Sequence, residues 1–391
     1  MESGDRLFNS GFITLNVFIL FAFCNLAVFY SFYNYLETLS VPADFRGILI
    51  GLLSVSALIF RPVISPVLTP KNAVSAMAAG LGITIACLWL YGSAVSLSWL
   101  IPLRILHGAG YVLLVSASVT LLVVFMPPAK SGQGFGIVSI MTLLPYAVVP
   151  LIFEKGFPGI PQPRIYFYTA QVLLCTALLL IPLKKMVAKR SGTEQALGQR
   201  LPKGSVWANL RQVRISLLLF ANCLVFSSFS LIFFFLKTFS GQSRIGDAGL
   251  FFTVSTLVMI ASRLVLGPLF DRFDKAAMII ASLGVFAASL WLLGMAASAS
   301  QFYGVAAMYG LGVGAATPLL NGLMFVVSKP EYRGLNTNLM LEMVDAGFIL
   351  GPVAGGLAVA GGVGQLPILM GCAGAAILAA LLMIPFIGKN G

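Results

Sequence analysis

Stretches of apolar residues long enough to cross roughly 30 Å of hydrocarbon as a helix, about 20 residues each, recur along nearly the whole chain. With 59% hydrophobic and 9% charged residues, the sequence has too little polar surface to cover a water-soluble core, so lipid is its solvent. In hydrocarbon every backbone amide must be satisfied within the protein, which leaves the helix and the closed barrel as spanning structures. A barrel strand alternates lipid-facing and lumen-facing residues, and the run from Ile215 to Leu236 does not alternate. The fold class is therefore an all-α membrane protein.

Hydropathy windows of about 19 residues place spans near 12–36, 45–66, 72–95, 98–125, 134–153 and 163–183, then 214–237, 246–268, 276–298, 300–327, 335–361 and 365–387. Between the two sixes lies the longest polar stretch, where Lys184, Lys185, Lys189, Arg190, Arg200, Lys203 and Arg211 face the single acid Glu194. The domain reading is an N-terminal six-helix bundle (1–183), a basic cytoplasmic linker (184–213) and a C-terminal six-helix bundle (214–391). With the N-terminus inside, the cytoplasmic segments also collect Arg6, Arg61, Lys71, Lys130, Arg214, Arg272, Lys275, Lys329, Arg333 and Lys389, while the other side collects only Arg46, Lys155, Arg164, Lys237 and Arg244. An excess of Lys and Arg marks the cytoplasmic side, so both termini are expected there.

This topology accounts for the formal charge of +12 better than nucleic-acid binding does, because the basic residues are spread among loops rather than gathered on a soluble domain. Cys24, Cys87, Cys175, Cys223 and Cys372 fall inside predicted spans without metal-type spacing and read as packing residues. The segment Met1 to Ser10 is short and polar and lacks a small-residue cleavage site after the first apolar run, so that run is expected to be retained as the first span.

Displacing the sequence by 202 positions against itself aligns Arg61 with Arg263, Pro66 with Pro268, Gly82 with Gly284, Trp89 with Trp291, Gly108 with Gly310, Gly110 with Gly312, Pro128 with Pro330, Gly132 with Gly334 and Pro150 with Pro352. So many glycines, prolines and tryptophans do not coincide without gaps by chance. The chain is a duplication of two parallel six-helix halves, and such halves hold substrate at their interface near the midplane.

Two six-helix halves, a basic central loop and the segment Gly267-Pro268-Leu269-Phe270-Asp271-Arg272-Phe273-Asp274-Lys275 together resemble the major facilitator superfamily, over the whole chain. The Arg104-Ile105-Leu106-His107-Gly108-Ala109-Gly110 run resembles the family's proton-antiporter motif, and Gly351-Pro352-Val353-Ala354-Gly355-Gly356 resembles its antiporter glycine-proline motif, displaced from the fifth span to the eleventh. With Arg61-Pro62 ending the second span, the chain is similar to bacterial arabinose-efflux-like and drug:proton antiporter-type permeases, which implies a place in a bacterial inner membrane. The resemblance implies secondary transport by alternating access, with Arg61, Arg263, Gly267, Asp271 and Arg272 forming a cytoplasmic gating latch. The first-half loop, Ser65-Pro66-Val67-Leu68-Thr69-Pro70-Lys71, lacks the aspartate and arginine of the signature, so any latch is lopsided. The fifth span keeps Pro145 and Pro150 but not the motif's glycines.

Residues shared by the halves are expected to serve the scaffold, and polar residues present in one half only are the candidates for chemistry. The repeat partner of Arg104 is Ala306, and a charge inside a span must face a partner or a watery cavity. His107 lies one turn on, on the same face, where it reads either as a packing residue or as a proton carrier, since imidazole titrates near neutrality. Asn338, Glu342 and Asp345 form one helical stripe whose repeat partners are Gly136, Ile140 and Leu143. Glu342 and Asp345 join Arg104 and His107 as the proton-coupling set, with Glu342 alternatively a solvated charge near the helix end. The expected substrate contacts are Asn16, Asn25, Arg104, Tyr146, Asn222, Ser227, Tyr309, Asn321 and Asn338, with Ser228 as a further lining residue, while Tyr30, Tyr33 and Trp99 read as interface anchors.

No GxxxxGK phosphate loop occurs, no cofactor is expected, and so few polar residues hold no paired nucleophile and base, so an enzyme is not expected. The expected partners are a small-molecule substrate, protons and membrane lipids, in a monomer. The function expected first is proton-coupled export of a small organic or amphipathic solute. The alternatives are uptake or facilitated diffusion of an organic anion anchored by Arg104, and a receptor or assembly subunit that kept the fold without transport.

Overall fold

The computed structural model describes residues 7–93, 96–126, 131–190, 209–243, 245–266, 273–329 and 332–388. Among them, twelve helices are long and apolar enough to cross a membrane: α1 (Ser10–Thr38), α2 (Ala43–Val67), α3 (Pro70–Leu90), α4 (Leu97–Leu122), α5 (Gly134–Gly156), α6 (Gln162–Ala188), α7 (Val213–Gly241), α8 (Ala248–Val265), α9 (Lys275–Met295), α10 (Ala299–Val327), α11 (Leu335–Ala360) and α12 (Gln365–Phe386). No strand occurs among the described residues.

The helices form two compact units, Met1–Val41 with Leu52–Ala196, and Pro42–Gly51 with Leu197–Gly391. In the first unit α1 packs on α5 and α6, and α3 on α4 and α6. In the second, α7 packs on α11 and α12, α10 on α8 and α9, and α9 on α12.

The duplication is visible in the packing of each unit. A Cβ added to Gly108 would collide with the carbonyl oxygen of Leu53 in α2, and one added to Gly310 would collide with that of Ser255 in α8. Ser255 is the repeat partner of Leu53. Gly110 lies against Thr84 in α3 and Gly312 against Phe286 in α9, and Phe286 is the repeat partner of Thr84. Helices in lipid gain no hydrophobic contrast from meeting, so they associate through close backbone approach, which only glycine permits at these crossings. The glycine-proline segment of α11 works the same way against α7: Gly347 and Gly351 sit on the backbone of Phe226 and Ser227, and Gly355 on Leu231 and Phe235.

Helix ends are closed by side chains. Asn9 Oδ1 accepts from the Phe12 amide at 3.0 Å while its Nδ2 donates to the Phe125 carbonyl at 2.8 Å, tying the start of α1 to the end of the helix that contains α4. Asp274, within the signature segment, caps α9 by accepting from the Ala277 amide at 2.8 Å, and its second oxygen accepts from the Gly388 amide at 3.0 Å.

Two departures from expectation are local. Helix α6 runs on to Ala188, so Lys184 and Lys185 of the expected linker are helical; Leu, Lys, Met and Ala all favour a helix, and long lysines keep their heads in water while their stems stay apolar. At the linker's other end, Asn209 is buried, its Nδ2 donating to Asn336 Oδ1 at 2.6 Å, and Asn336 Nδ2 donates on to Ser328 Oγ at 2.7 Å.

Candidate functional site

In the first unit, side chains from four helices meet at one end of the bundle. Helix α1 is broken there by a 3₁₀ turn over Val28–Ser31, and mid-helix 3₁₀ turns mark hinges or strained sequence. Gln162, at the start of α6, holds the break: its Nε2 donates to the Val28 carbonyl at 3.0 Å and its Oε1 accepts from Ser31 Oγ at 2.8 Å. The turn carries Phe29 inward beside Phe32, and the Arg104 guanidinium lies 5.0 Å from the first ring centre and 4.8 Å from the second. Arg104 is 2% exposed. Aromatic faces attract a weakly hydrated guanidinium and help hold it away from water.

Hydrogen bonds run through this cluster in one direction. Asn25 Nδ2 donates to the Ala22 carbonyl, which fixes Oδ1 as the acceptor facing His107 Nε2 at 3.0 Å. Nε2 therefore carries a proton, and in the neutral ring Nδ1 is an acceptor. It faces the Tyr91 hydroxyl at 3.4 Å, and that hydroxyl accepts in turn from Arg104 Nη1 at 3.5 Å. The sequence of donation is Arg104 to Tyr91 to His107 to Asn25. Around it, Tyr35 donates to the Tyr91 carbonyl at 3.2 Å, and Tyr166 stacks on Phe29 at 4.8 Å. Arg104, His107, Asn25, Tyr91 and Tyr166 are all buried.

In the second unit, the position matching His107 is Tyr309, 1% exposed. It is walled by Phe229, stacked at 6.2 Å, and by Phe251 and Phe286 at 5.6 and 5.3 Å, and its hydroxyl has no hydrogen-bond partner among the described residues. Phe226 and Phe229 of α7 meet Phe348 of α11 at 6.5 and 6.1 Å, and these three rings are each partly exposed. Phe348 lies one turn beyond Asp345, which is buried, and the stripe emerges through the half-buried Glu342 to the exposed Asn338.

The remaining candidates divide by environment. Asn16 is buried and donates to the Phe12 carbonyl of its own helix at 2.8 Å; Asn222 is buried and donates to the Met340 carbonyl of α11 at 2.9 Å. Ser227 returns its hydroxyl to the Cys223 carbonyl, and Ser228 donates to Cys372 in α12 at 3.1 Å. Tyr146 is half-buried, and Asn321 is exposed and bonded to its own helix at Thr317. The latch candidates are placed in part. Arg61 is buried, and Arg263 donates from Nε to the Gly314 carbonyl at 3.4 Å and from Nη2 to Thr317 Oγ1 at 3.0 Å, tethering α8 to α10. Gly267, Asp271 and Arg272 lie outside the described residues.

Two expectations are corrected. Tyr30 and Tyr33 are buried at 1% exposure rather than standing at the interface, because the end of α1 is packed inside the bundle, whereas Trp99 is exposed as an anchor would be. Cys175 is exposed on α6, while Cys87, Cys223 and Cys372 are buried. Tyr91, Gln162, Phe29 and the Phe226, Phe229, Phe348 trio were not singled out by sequence, although the apolar repeat partner of Tyr91, Leu293, marks it by the logic that marked Arg104.

The sequence matches the family model described as Major Facilitator Superfamily over residues 12–248 and 242–390. No curated protein matches the chain significantly in sequence. Among solved structures it is similar to a variant of the nucleoside transporter NupG, with a TM-score of 0.80, 14% identity, and coverage of 97% of this chain and 100% of that one. It is also similar to the human organic anion transporter MFSD10 (TM-score 0.68, 15% identity, covering 98% and 100%). A bacterial homolog of the human lysosomal transporter Spinster, inward-facing and unoccupied, matches with a TM-score of 0.70 and 12% identity over 97% and 98%. At these identities the structures share the fold. With the family model matched across both halves, the chain belongs to the Major Facilitator Superfamily and is a membrane transporter.

Proposed function

We propose that the protein exports a small organic solute in exchange for protons, and that His107 carries the proton. The observation that supports this reading most is the directed chain from Arg104 through Tyr91 to His107 and Asn25. Neutral His107 accepts from Tyr91; a proton arriving at Nδ1 turns that side of the ring into a donor. The Tyr91 hydroxyl must then turn its hydrogen away while still accepting from Arg104. One proton thus reverses the polarity of the bond that holds Tyr91, and through Tyr91 it acts on the aromatic surround of Arg104. Such a group has two arrangements of similar connectivity, which a two-state transport cycle requires.

Asp345 serves as the second proton-linked group, since a buried carboxylate between a solvated stripe and an aromatic cluster suits a site that meets water in one state and not in another. Arg61 and Arg263 act as the latch and govern the rate of exchange. The fold relatives carry cargoes as different as nucleosides and organic anions, so the cargo here is argued from this chain's own residues: the partly exposed rings of Phe226, Phe229 and Phe348 favour an amphipathic organic solute.

Thermal-shift screening of the purified protein against metabolites and drugs identifies the cargo, because a ligand that binds the folded state raises its stability. A hit is then added to proteoliposomes containing a pH-sensitive dye. Saturable proton movement on solute addition is expected; solute flux with no proton movement would favour facilitated diffusion, and absence of flux would favour a receptor.

A further inference from the structure

The end of the first unit carries a groove that the transport cycle above does not use. Helix α5 finishes in a π-helical turn, Ile152–Gly156, closed by the Phe157 amide donating to the Ile152 carbonyl at 3.2 Å. A π turn holds an extra residue and widens the helix. The chain then crosses to α6 through Phe157-Pro158-Gly159-Ile160-Pro161, with Gly159 at φ +79°, where a side chain is strained. Between the widened turn and the first turns of α6 lies a cavity of about 690 Å³ lined by Ile152, Phe153, Phe157, Ile160, Arg164 and Tyr168 among others.

Its walls are apolar and aromatic and are open to the surroundings: Ile152, Phe157 and Tyr168 are 44, 56 and 50% exposed. Among the described residues Arg164 is the only charged one lining it, and it lies one turn from Tyr168 on the same face of α6. Glu154, on the same π turn, does not line the groove. The start of α6 adds the positive end of its dipole beside Arg164. An apolar slot open at the end of two spanning helices, with positive charge at its rim, is complementary to one ligand class that surrounds every membrane protein. We propose that this groove binds an anionic phospholipid, with the phosphate on Arg164 and the glycerol and upper acyl chain along Phe153, Phe157 and Tyr168. A guanidinium holds a phosphate through charge-assisted hydrogen bonds, and Tyr suits the headgroup depth because its ring is apolar and its tip polar.

The experiment is native mass spectrometry of the whole protein after equilibration in nanodiscs of equal phosphatidylglycerol and phosphatidylcholine. One phosphatidylglycerol is expected to survive release in preference to phosphatidylcholine. Arg164→Ala should reduce that adduct by about tenfold, as loss of one charge-assisted contact implies, and Arg164→Lys should keep part of it. Tyr168→Ala should also weaken it, whereas inorganic phosphate should not displace the lipid, since the groove walls contribute to its hold. The proposal is overturned if Arg164→Ala keeps the adduct, if both lipids are retained equally, or if inorganic phosphate alone removes it. Arg164 is exposed, so its replacement leaves the fold intact, and an unchanged melting temperature in detergent verifies this.

Discussion

The imidazole of His107 and the side-chain amide of Asn25 meet at 3.0 Å, joining α4 to α1 at a point where both side chains are buried. The bond does two things. It fixes which ring nitrogen bears the proton, and it satisfies a polar pair that would otherwise be buried unpaired. Asn25→Leu removes the acceptor while keeping the volume, so it should lower stability by about 1–3 kcal/mol, the cost of leaving a buried donor unmatched. Thermal unfolding in a fixed detergent reads this directly, and an unchanged midpoint would show that the bond is absent in solution.

The paired glycines give a second test. Gly310→Ala and Gly108→Ala each drive a methyl group into a neighbouring backbone carbonyl, which cannot move aside as a flexible side chain can. Each should cost about 1–3 kcal/mol or more by overpacking. Gly304→Ala, in the same helix as Gly310 and with open space where its methyl would go, should be nearly neutral. Equal effects at Gly304 and Gly310 would mean that helix propensity rather than close approach governs these positions.

Thr317→Val keeps the shape of the side chain but removes the oxygen that Arg263 reaches at 3.0 Å. If the tether belongs to a latch, the substitution should change the maximal rate of transport several-fold while leaving KM within about twofold, as a change in a conformational step does. A change in KM alone would place Thr317 among the substrate contacts instead.

Gln162→Leu deletes both bonds that brace the break in α1, to Val28 and to Ser31. The freed Val28 carbonyl and Ser31 hydroxyl are buried, and the loss should be about 1–3 kcal/mol. Because Phe29 rides on that turn, hydrogen exchange of residues 25–35 should rise more than exchange elsewhere in the unit. A uniform rise would contradict a local brace.

The fold was legible because lipid makes the rule simple: each span must be long and apolar, and duplication repeats the few residues that are neither. Gly108 and Gly310 stand out in sequence for the same reason they are needed in the structure, since a crossing of backbones admits nothing larger. The candidate site was legible in part. Arg104, His107, Asn25 and Asp345 are polar residues in apolar spans, and each is buried. Tyr91 was hidden because an aromatic residue at a helix end ordinarily marks the bilayer surface, and Tyr30 and Tyr33 were misplaced for that reason. Whether such a ring turns outward or into the bundle depends on packing against other helices, which linear periodicity does not encode. Asn321 and Asn338 illustrate the converse, for a polar residue within a span can lie on an exposed face.

Solute accumulation driven by an imposed pH gradient in proteoliposomes, measured for the unmodified protein and for His107→Gln, tests the proton-coupling account most directly. Glutamine preserves hydrogen bonding but cannot take up a proton in this range, so the variant should still exchange labelled solute across the membrane at equilibrium while losing gradient-driven accumulation. Accumulation by His107→Gln equal to that of the unmodified protein would show that the proton travels elsewhere.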